Sequence, residues 1–292
     1  KCASRDMSTR VLVTNDDGID APGVLAVVEE LLRHGTTYDI RVACPAVQQS
    51  AQSQGITLHH PLWVEPYQLT RPSLEHVKAF RVDGTPADCV KIALTSGILE
   101  TWTPQVVISG INAGSNSGYN IIYSGTVAAA REGIIGGIPA LAASLDFPPK
   151  GGIWEYVQAA ELMMPILESF LASVRDPTTT EAVSRVVCNV NFPCVSRAAV
   201  KGTVVARQGT SVFVDRYSEI ETTPEERQQH PTRRMFRLDG HMPVTESGDD
   251  IDTPAMQNGF VVITPLGLRS DDAADAANAR AVYGSWPCVA RV

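Results

Sequence analysis

Residues 11–23 read VLVTNDDGIDAPG, and the order of events within them decides the fold. Val11-Leu12-Val13-Thr14 is a short β-branched run, of the kind a buried strand carries. Asn15-Asp16-Asp17-Gly18 breaks it. Pro22 stands where a first helical turn tolerates proline. Val24, Leu25, Val28, Leu31 and Leu32 follow at helical spacing, and Gly35 can end the helix. Ile40 to Cys44 is the next strand, stopped by Pro45. Strand, loop, helix and strand in that order form the unit of a parallel sheet.

The alternation continues. Phe80 to Val82 predicts a strand, Pro86 to Leu99 a helix, and Val106 to Ser109 a strand that leads into a glycine and asparagine loop. Ser124 to Ile135 predicts a helix, Pro139 to Ser144 a strand, and Glu155 to Val174 a helix. The expected fold is α/β, a Rossmann-like doubly wound parallel sheet. From Arg185 onward the chain is richer in strands, with Arg185 to Phe192, Val200 to Arg207 and Phe260 to Thr264 as candidates. Thr222 to Thr232 is a polar excursion. A boundary near residue 180, at Pro177-Thr178-Thr179-Thr180, divides a catalytic core (11–180) from a β-rich extension with an oligomerisation role (181–292). That extension decorates the first sheet or folds apart from it. Residues 1–10 read as a leader or a processing remnant.

Composition narrows the partners. Of the residues, 44% are hydrophobic and 19% charged, enough apolar content for a substantial core. The net charge of −8 opposes a role in coating a nucleic-acid polymer, because phosphate neutralisation drives that binding. Thr101 to Ala130 holds no charged residue, yet its glycines, asparagines and serines would be unsatisfied in lipid, so no membrane span is expected there. The 6 cysteines show no C-x-x-C spacing and read as free thiols of a reducing compartment. A cytoplasmic location is expected, with organelle targeting open if residues precede Lys1.

Ligands of an open parallel sheet bind beyond the carboxyl ends of its strands. Three loops leave such ends. One carries Asp16 and Asp17, one carries Gln48, Gln49, Ser50 and Ser53, and one carries Asn112, Gly114, Asn116 and Gly118. Carboxylates, hydroxyls and amides are hard oxygen donors suited to Mg²⁺ or Mn²⁺. The plainer reading of Asp16-Asp17-Gly18 is a turn and a helix cap, two common tasks for aspartate. Ser124-Gly125-Thr126 opens a helix, where the same residues either cap free N–H groups or leave them to bind phosphate. A metal-binding acidic pair facing an anion-binding helix start is a phosphohydrolase layout. G-x-G-x-x-G, G-K-[ST], D-x-D-x-[TV], G-x-S-x-G and H-E-x-x-H are all absent.

These stretches resemble the SurE family, the survival-protein 5′-nucleotidases. The resemblance rests on VLVTNDDGIDAPG (11–23), QQSAQSQGIT (48–57), VDGTPADCVKIAL (82–94), SGINAGSNSGYNIIYSGTVAAAREG (109–133) and DIDTPAMQNGFVVITPL (250–266). MFRLDG (235–240) is more similar to plant-type members, and residues 208–248 match weakly. Gln49 stands where many bacterial members carry arginine.

The resemblance implies a homodimer or homotetramer that hydrolyses nucleoside 5′- or 3′-monophosphates, and in some members short polyphosphate, with one divalent ion per subunit. It places the metal ligands on Asp16, Asp17, Ser50 and Asn112, with the two aspartates catalytic. It places the phosphate-side residues on Asn116, Ser124, Gly125 and Thr126. The competing readings are a nucleotide- or phosphate-binding regulator without catalysis and a dinucleotide oxidoreductase.

Overall fold

β1 (Thr9–Thr14) lies in the middle of a sheet, with Val11 and Val13 in the core on one face and Leu12 in the core on the other. Burial on both faces is why its sequence is an unbroken apolar run. The structure, a computed structural model, describes residues 8–268 apart from 231, 242, 244 and 245, together with residue 284. Residues 1–7 of the expected leader, and 269–292 of the expected extension other than 284, lie outside the described residues.

After β1 come α1 (Pro22–Arg33), β2 (Tyr38–Pro45), β3 (Val64–Tyr67), β4 (Lys78–Val82), α2 (Pro86–Thr95) and β5 (Val106–Ala113). Then follow α3 (Gly125–Ile135), β6 (Ala140–Leu145), α4 (Tyr156–Arg175), α5 (Thr180–Val183), β7 (Val186–Phe192) and β8 (Thr203–Val205). The last elements among the described residues are β9 (Val214–Ile220), α6 (Pro224–Gln229), β10 (Met235–His241), α7 (Asp252–Gln257) and β11 (Val261–Gly267).

The main sheet has the strand order β3-β4-β2-β1-β5-β6-β7-β11-β8. From β4 to β7 all neighbours are parallel. β3 is antiparallel at one edge, and β11 runs antiparallel to β7 and parallel to β8. α1 and α4 cover one face, α2 and α3 the other. This is the doubly wound α/β fold expected. The chain begins at β1, steps to β2 on one side and later returns to β5 on the other. At that reversal the loops after β1 and β5 diverge and leave a crevice.

β7 pairs directly with β6, so the strand-rich part after residue 180 joins the first sheet, one of the two arrangements expected for it. Several elements differ from expectation. β5 extends to Ala113, so Asn112 sits on a strand end rather than in a loop, after a register shift between Ser109 and Asn112 against β6. Such a bulge re-aims the side chains that follow it. β3 is an edge strand that carries Pro66, which sequence reading discounts. β9 and β10 form a separate two-stranded ladder, joined through α6 rather than by a tight turn. α4 is long and apolar enough to cross a bilayer, but its Ala159, Met163, Ile166, Leu167 and Phe170 are buried in the core beside α1.

Candidate functional site

The turn after β1 is closed by Asn15, whose Nδ2 donates to the Gly18 carbonyl at 2.9 Å. α1 begins after Ala21, with no side-chain cap. Neither Asp16 nor Asp17 therefore closes the turn or caps the helix, and both carboxylates serve another purpose. Asp16 is 4% exposed. The Thr126 hydroxyl donates to its Oδ1 at 2.5 Å. Asp17, half-buried, accepts the Ala113 N–H on Oδ2 at 2.8 Å and is also hydrogen-bonded by the Gln48 side chain. The pair is thus tied to the helix on one side and to the end of β5 on the other.

The second and third loops close around this pair. The Gln49 N–H donates to the Asp16 carbonyl oxygen at 2.7 Å, which brings the exposed Ser50 alongside. Asn112 uses its Nδ2 on the Gly114 carbonyl at 2.6 Å. Only the amide nitrogen can donate there, so the carboxamide's Oδ1 is left as an acceptor. The four expected metal ligands, Asp16, Asp17, Ser50 and Asn112, thus come from three strand ends that converge on one crevice.

The electrostatics are uncompensated. Burial pushes the Asp16 carboxyl up to about 6, opposed by the Thr126 hydrogen bond and reinforced by the neighbouring Asp17 charge. Burial also raises Asp17, opposed by the Ala113 and Gln48 hydrogen bonds. Among the described residues no lysine, arginine or histidine forms an ion pair with either one. Two adjacent, partly desolvated carboxylates without a basic partner fit a divalent cation, which supplies the missing positive charge. The described residues contain no group of three or more His, Cys, Asp and Glu, so hydroxyl and amide oxygens would complete the set. That favours Mg²⁺ or Mn²⁺ over zinc.

Bound protons and a cation compete for the same carboxylates. Affinity for Mn²⁺ should therefore fall about tenfold per pH unit below about 6. A calorimetric titration between pH 5 and 8 measures this, and a flat profile would remove Asp16 from the metal's surroundings.

The phosphate-side residues are placed less simply. Ser124 is the N-cap of α3, its hydroxyl accepting the Val127 N–H at 3.0 Å. Thr126 directs both its hydroxyl and its N–H at Asp16. A Cβ on Gly125 would lie 2.8 Å from the Asp16 Cβ, so glycine is needed to let that carboxylate pack against the helix start. Much of the positive end of α3 is thus directed at Asp16.

The two variants separate these roles. Thr126→Val removes a charge-assisted hydrogen bond and should weaken Mn²⁺ binding about tenfold or more. Ser124→Ala should cost about 1 kcal/mol of stability with Mn²⁺ affinity retained. Melting curves and metal titrations on both variants check this, and equal metal affinities would break the Thr126–Asp16 link.

Asn116 is buried in an amide network that sequence reading missed. Its N–H donates to Asn191 Oδ1 at 2.8 Å, its Nδ2 to Ser144 Oγ at 2.8 Å, and its carbonyl accepts from Asn189 at 2.9 Å and Asn191 at 3.0 Å. Asn189 and Asn191 lie two apart on β7 and so point to the same face. Polar residues at alternate positions of an otherwise apolar strand were the available signal. The far end of the glycine loop is held by Asp252 at the start of α7. Its carboxylate accepts the N–H groups of Gly118, Gly209 and Thr253 at 2.8, 2.9 and 2.7 Å. Tyr156 lies near the crevice too, where burial and then the Asp17 charge push its hydroxyl up to about 12.

The family model described as Survival protein SurE matches residues 11–215. The 5′-nucleotidase SurE of Carboxydothermus hydrogenoformans is 36% identical over 260 residues, covering 88% of this chain and 89% of that protein. The protein of the same name from Synechococcus sp. strain JA-3-3Ab is 36% identical over 263 residues, covering 88% and 90%. The crystal structure of the SurE protein from Aquifex aeolicus superposes with a TM-score of 0.68 at 29% identity, covering 89% of this chain and 94% of that one.

Proposed function

The chain belongs to the SurE family, and from that premise we propose that it is a divalent-metal phosphomonoesterase that hydrolyses nucleoside 5′-monophosphates to nucleoside and phosphate. The observation that carries this reading is the Asp16–Asp17 pair, freed from turn and cap duties and left without a basic partner beside Asn112. Relatives covered over most of their length and bearing the name 5′-nucleotidase support the same substrate class.

In this reading Asp16, Asp17, Ser50 and Asn112 hold the ion. A divalent cation there supplies charge neutralisation for the phosphoryl group and activation of the nucleophile. The protein's own residues do the positioning. Thr126 fixes the Asp16 carboxylate, the Ala113 N–H fixes that of Asp17, and the Gly114 carbonyl holds the Asn112 amide nitrogen and leaves its oxygen free to accept. On the phosphate side the first turn of α3 contributes its dipole and the Gly125 N–H. Ser124 and Thr126 act there through the helix start they build, and Asn116 through the loop it anchors.

Assembly as a homodimer or homotetramer is part of the proposal. It is supported by the β9–β10 ladder, which stands apart from the main sheet and exposes Tyr217, Phe236 and Leu238. The free thiols of Cys44, Cys89 and Cys194 support a reducing compartment such as the cytoplasm.

The direct test is phosphate release from 5′-AMP, 3′-AMP and ribose 5-phosphate with Mn²⁺ present. Turnover of 5′-AMP supports the reading. Tight nucleotide binding without release of phosphate supports a regulator instead.

A further inference from the structure

The loop between β6 and α4, together with the first residue of α4, carries a row of aromatic rings that the chemistry above does not use. Tyr156 stacks on Trp154 with ring centroids 5.6 Å apart and planes 9° from parallel. Trp154 meets Phe147 at 5.6 Å with planes tilted by 59°. The inner two rings are half-buried against the core, while Phe147 is 65% exposed. The row therefore begins against the core and ends in solvent with an uncovered ring.

Phe147 is also joined to the metal-side residues through Gly114. A Cβ on Gly114 would lie 2.9 Å from Phe147 Cζ, so the ring rests on the bare backbone of that glycine. The same glycine's carbonyl orients Asn112. The base of the loop is firm. The Gly114 N–H donates to the Leu145 carbonyl at 2.8 Å and the Asp146 N–H to the Phe192 carbonyl at 2.9 Å. The Ser115 hydroxyl donates to Asp146 Oδ1 at 2.9 Å. An exposed aromatic ring on a rigid mount costs little entropy to use, which is what a stacking platform needs.

Resting on the nucleotidase reading, we propose that the exposed face of Phe147, backed by Trp154 and Tyr156, is the shelf on which the substrate's nucleobase stacks. The phosphate would then lie at the Asp16–Asp17 pair and the base on Phe147, the two joined through Ala113 and Gly114. Stacking is tolerant of base identity because every base has a π-face. The shelf thus selects nucleotides over sugar phosphates rather than one base over another. Tyr119, Tyr123 and Phe213 are further exposed rings, on segments tied to Ser211, Ser53 and Asn120 rather than to Gly114.

The test compares wild type with Phe147→Ala, Phe147→Trp and Tyr123→Ala. Two quantities are read: the ratio of kcat/KM for 5′-AMP to that for ribose 5-phosphate, and the Kd for adenosine by calorimetry. Phe147→Ala should lower the ratio by at least about fivefold, mainly through KM, and weaken adenosine by a similar factor. Phe147→Trp should restore both. An unchanged ratio and Kd in Phe147→Ala, an equal loss on both substrates, or a fall confined to Tyr123→Ala each overturns the assignment. Wild type that binds adenosine through Phe147 but releases phosphate from neither substrate leaves the shelf standing and overturns the nucleotidase reading.

Discussion

Exhaustive chelation with EDTA is expected to reduce 5′-AMP hydrolysis to background, and added Mn²⁺ or Mg²⁺ to restore it. The expectation follows from charge. Asp16 is almost wholly buried, Asp17 is half-buried beside it, and no described cationic side chain pairs with them. A dianionic phosphoryl group will not approach two bare carboxylates, so the site is repulsive to its substrate until a divalent ion is present. Metal assistance is worth several kcal/mol of barrier, which corresponds to at least about 100-fold in rate. The all-oxygen surroundings predict better recovery with Mn²⁺ or Mg²⁺ than with Zn²⁺. Phosphate release at the untreated rate from protein shown by elemental analysis to be metal-free would sink the metal-centre reading.

The parts of this site that sequence makes legible are those with local signatures. The strand–loop–helix order of residues 11–33 predicts a parallel sheet, and the strand ends predict that the segments carrying Asp16, Ser50 and Asn112 adjoin, as the Gln49–Asp16 and Ala113–Asp17 hydrogen bonds show. The parts that sequence hides depend on pairing across the chain. Asp252 reaches the Gly118 N–H across 134 residues, and Asn191 reaches Asn116 across 75. Nothing in either local stretch announces the partner. The helix start at Ser124 shows a subtler gap. Ser-Gly-Thr is read as a cap or a phosphate cradle, and nothing in it announces support of a carboxylate. In the fold Ser124 is the cap and Thr126 the support, because the helix points its first turn at Asp16. Only the tertiary placement of α3 distinguishes these uses. β3 and the β9–β10 ladder were hidden for a different reason, since Pro66 and a helix-containing connection each break the usual strand and hairpin signals.

Replacing Asp16 by asparagine should separate function from stability in opposite directions. Asp16→Asn keeps the side chain's shape, and its oxygen can still accept from Thr126, but it removes one charge from a hard-cation site. Hydrolysis should fall at least about 100-fold, and Mn²⁺ binding should weaken with it. Asp17→Asn should show a comparable loss of activity.

Stability of the metal-free protein should move the other way. The folded-state value of about 6 lies above the ordinary 3.8, so the fold favours the protonated carboxyl. Without a cation, stability is therefore greatest below about 4 as far as this group is concerned, and is lost as pH rises through 6. The gap corresponds to about 3 kcal/mol at pH 7. Asp16→Asn is neutral at every pH, so in EDTA at pH 7 it should melt above wild type, and the difference should shrink toward pH 4. Adding Mn²⁺ should reverse the order, because ion binding stabilises only the wild-type fold strongly. A variant that is inactive and also less stable in EDTA at pH 7 would mean that the Asp16 carboxylate supports the fold, contrary to the turn and cap geometry around it. A more stable but inactive variant marks a residue whose charge the fold bears for the sake of its ligand.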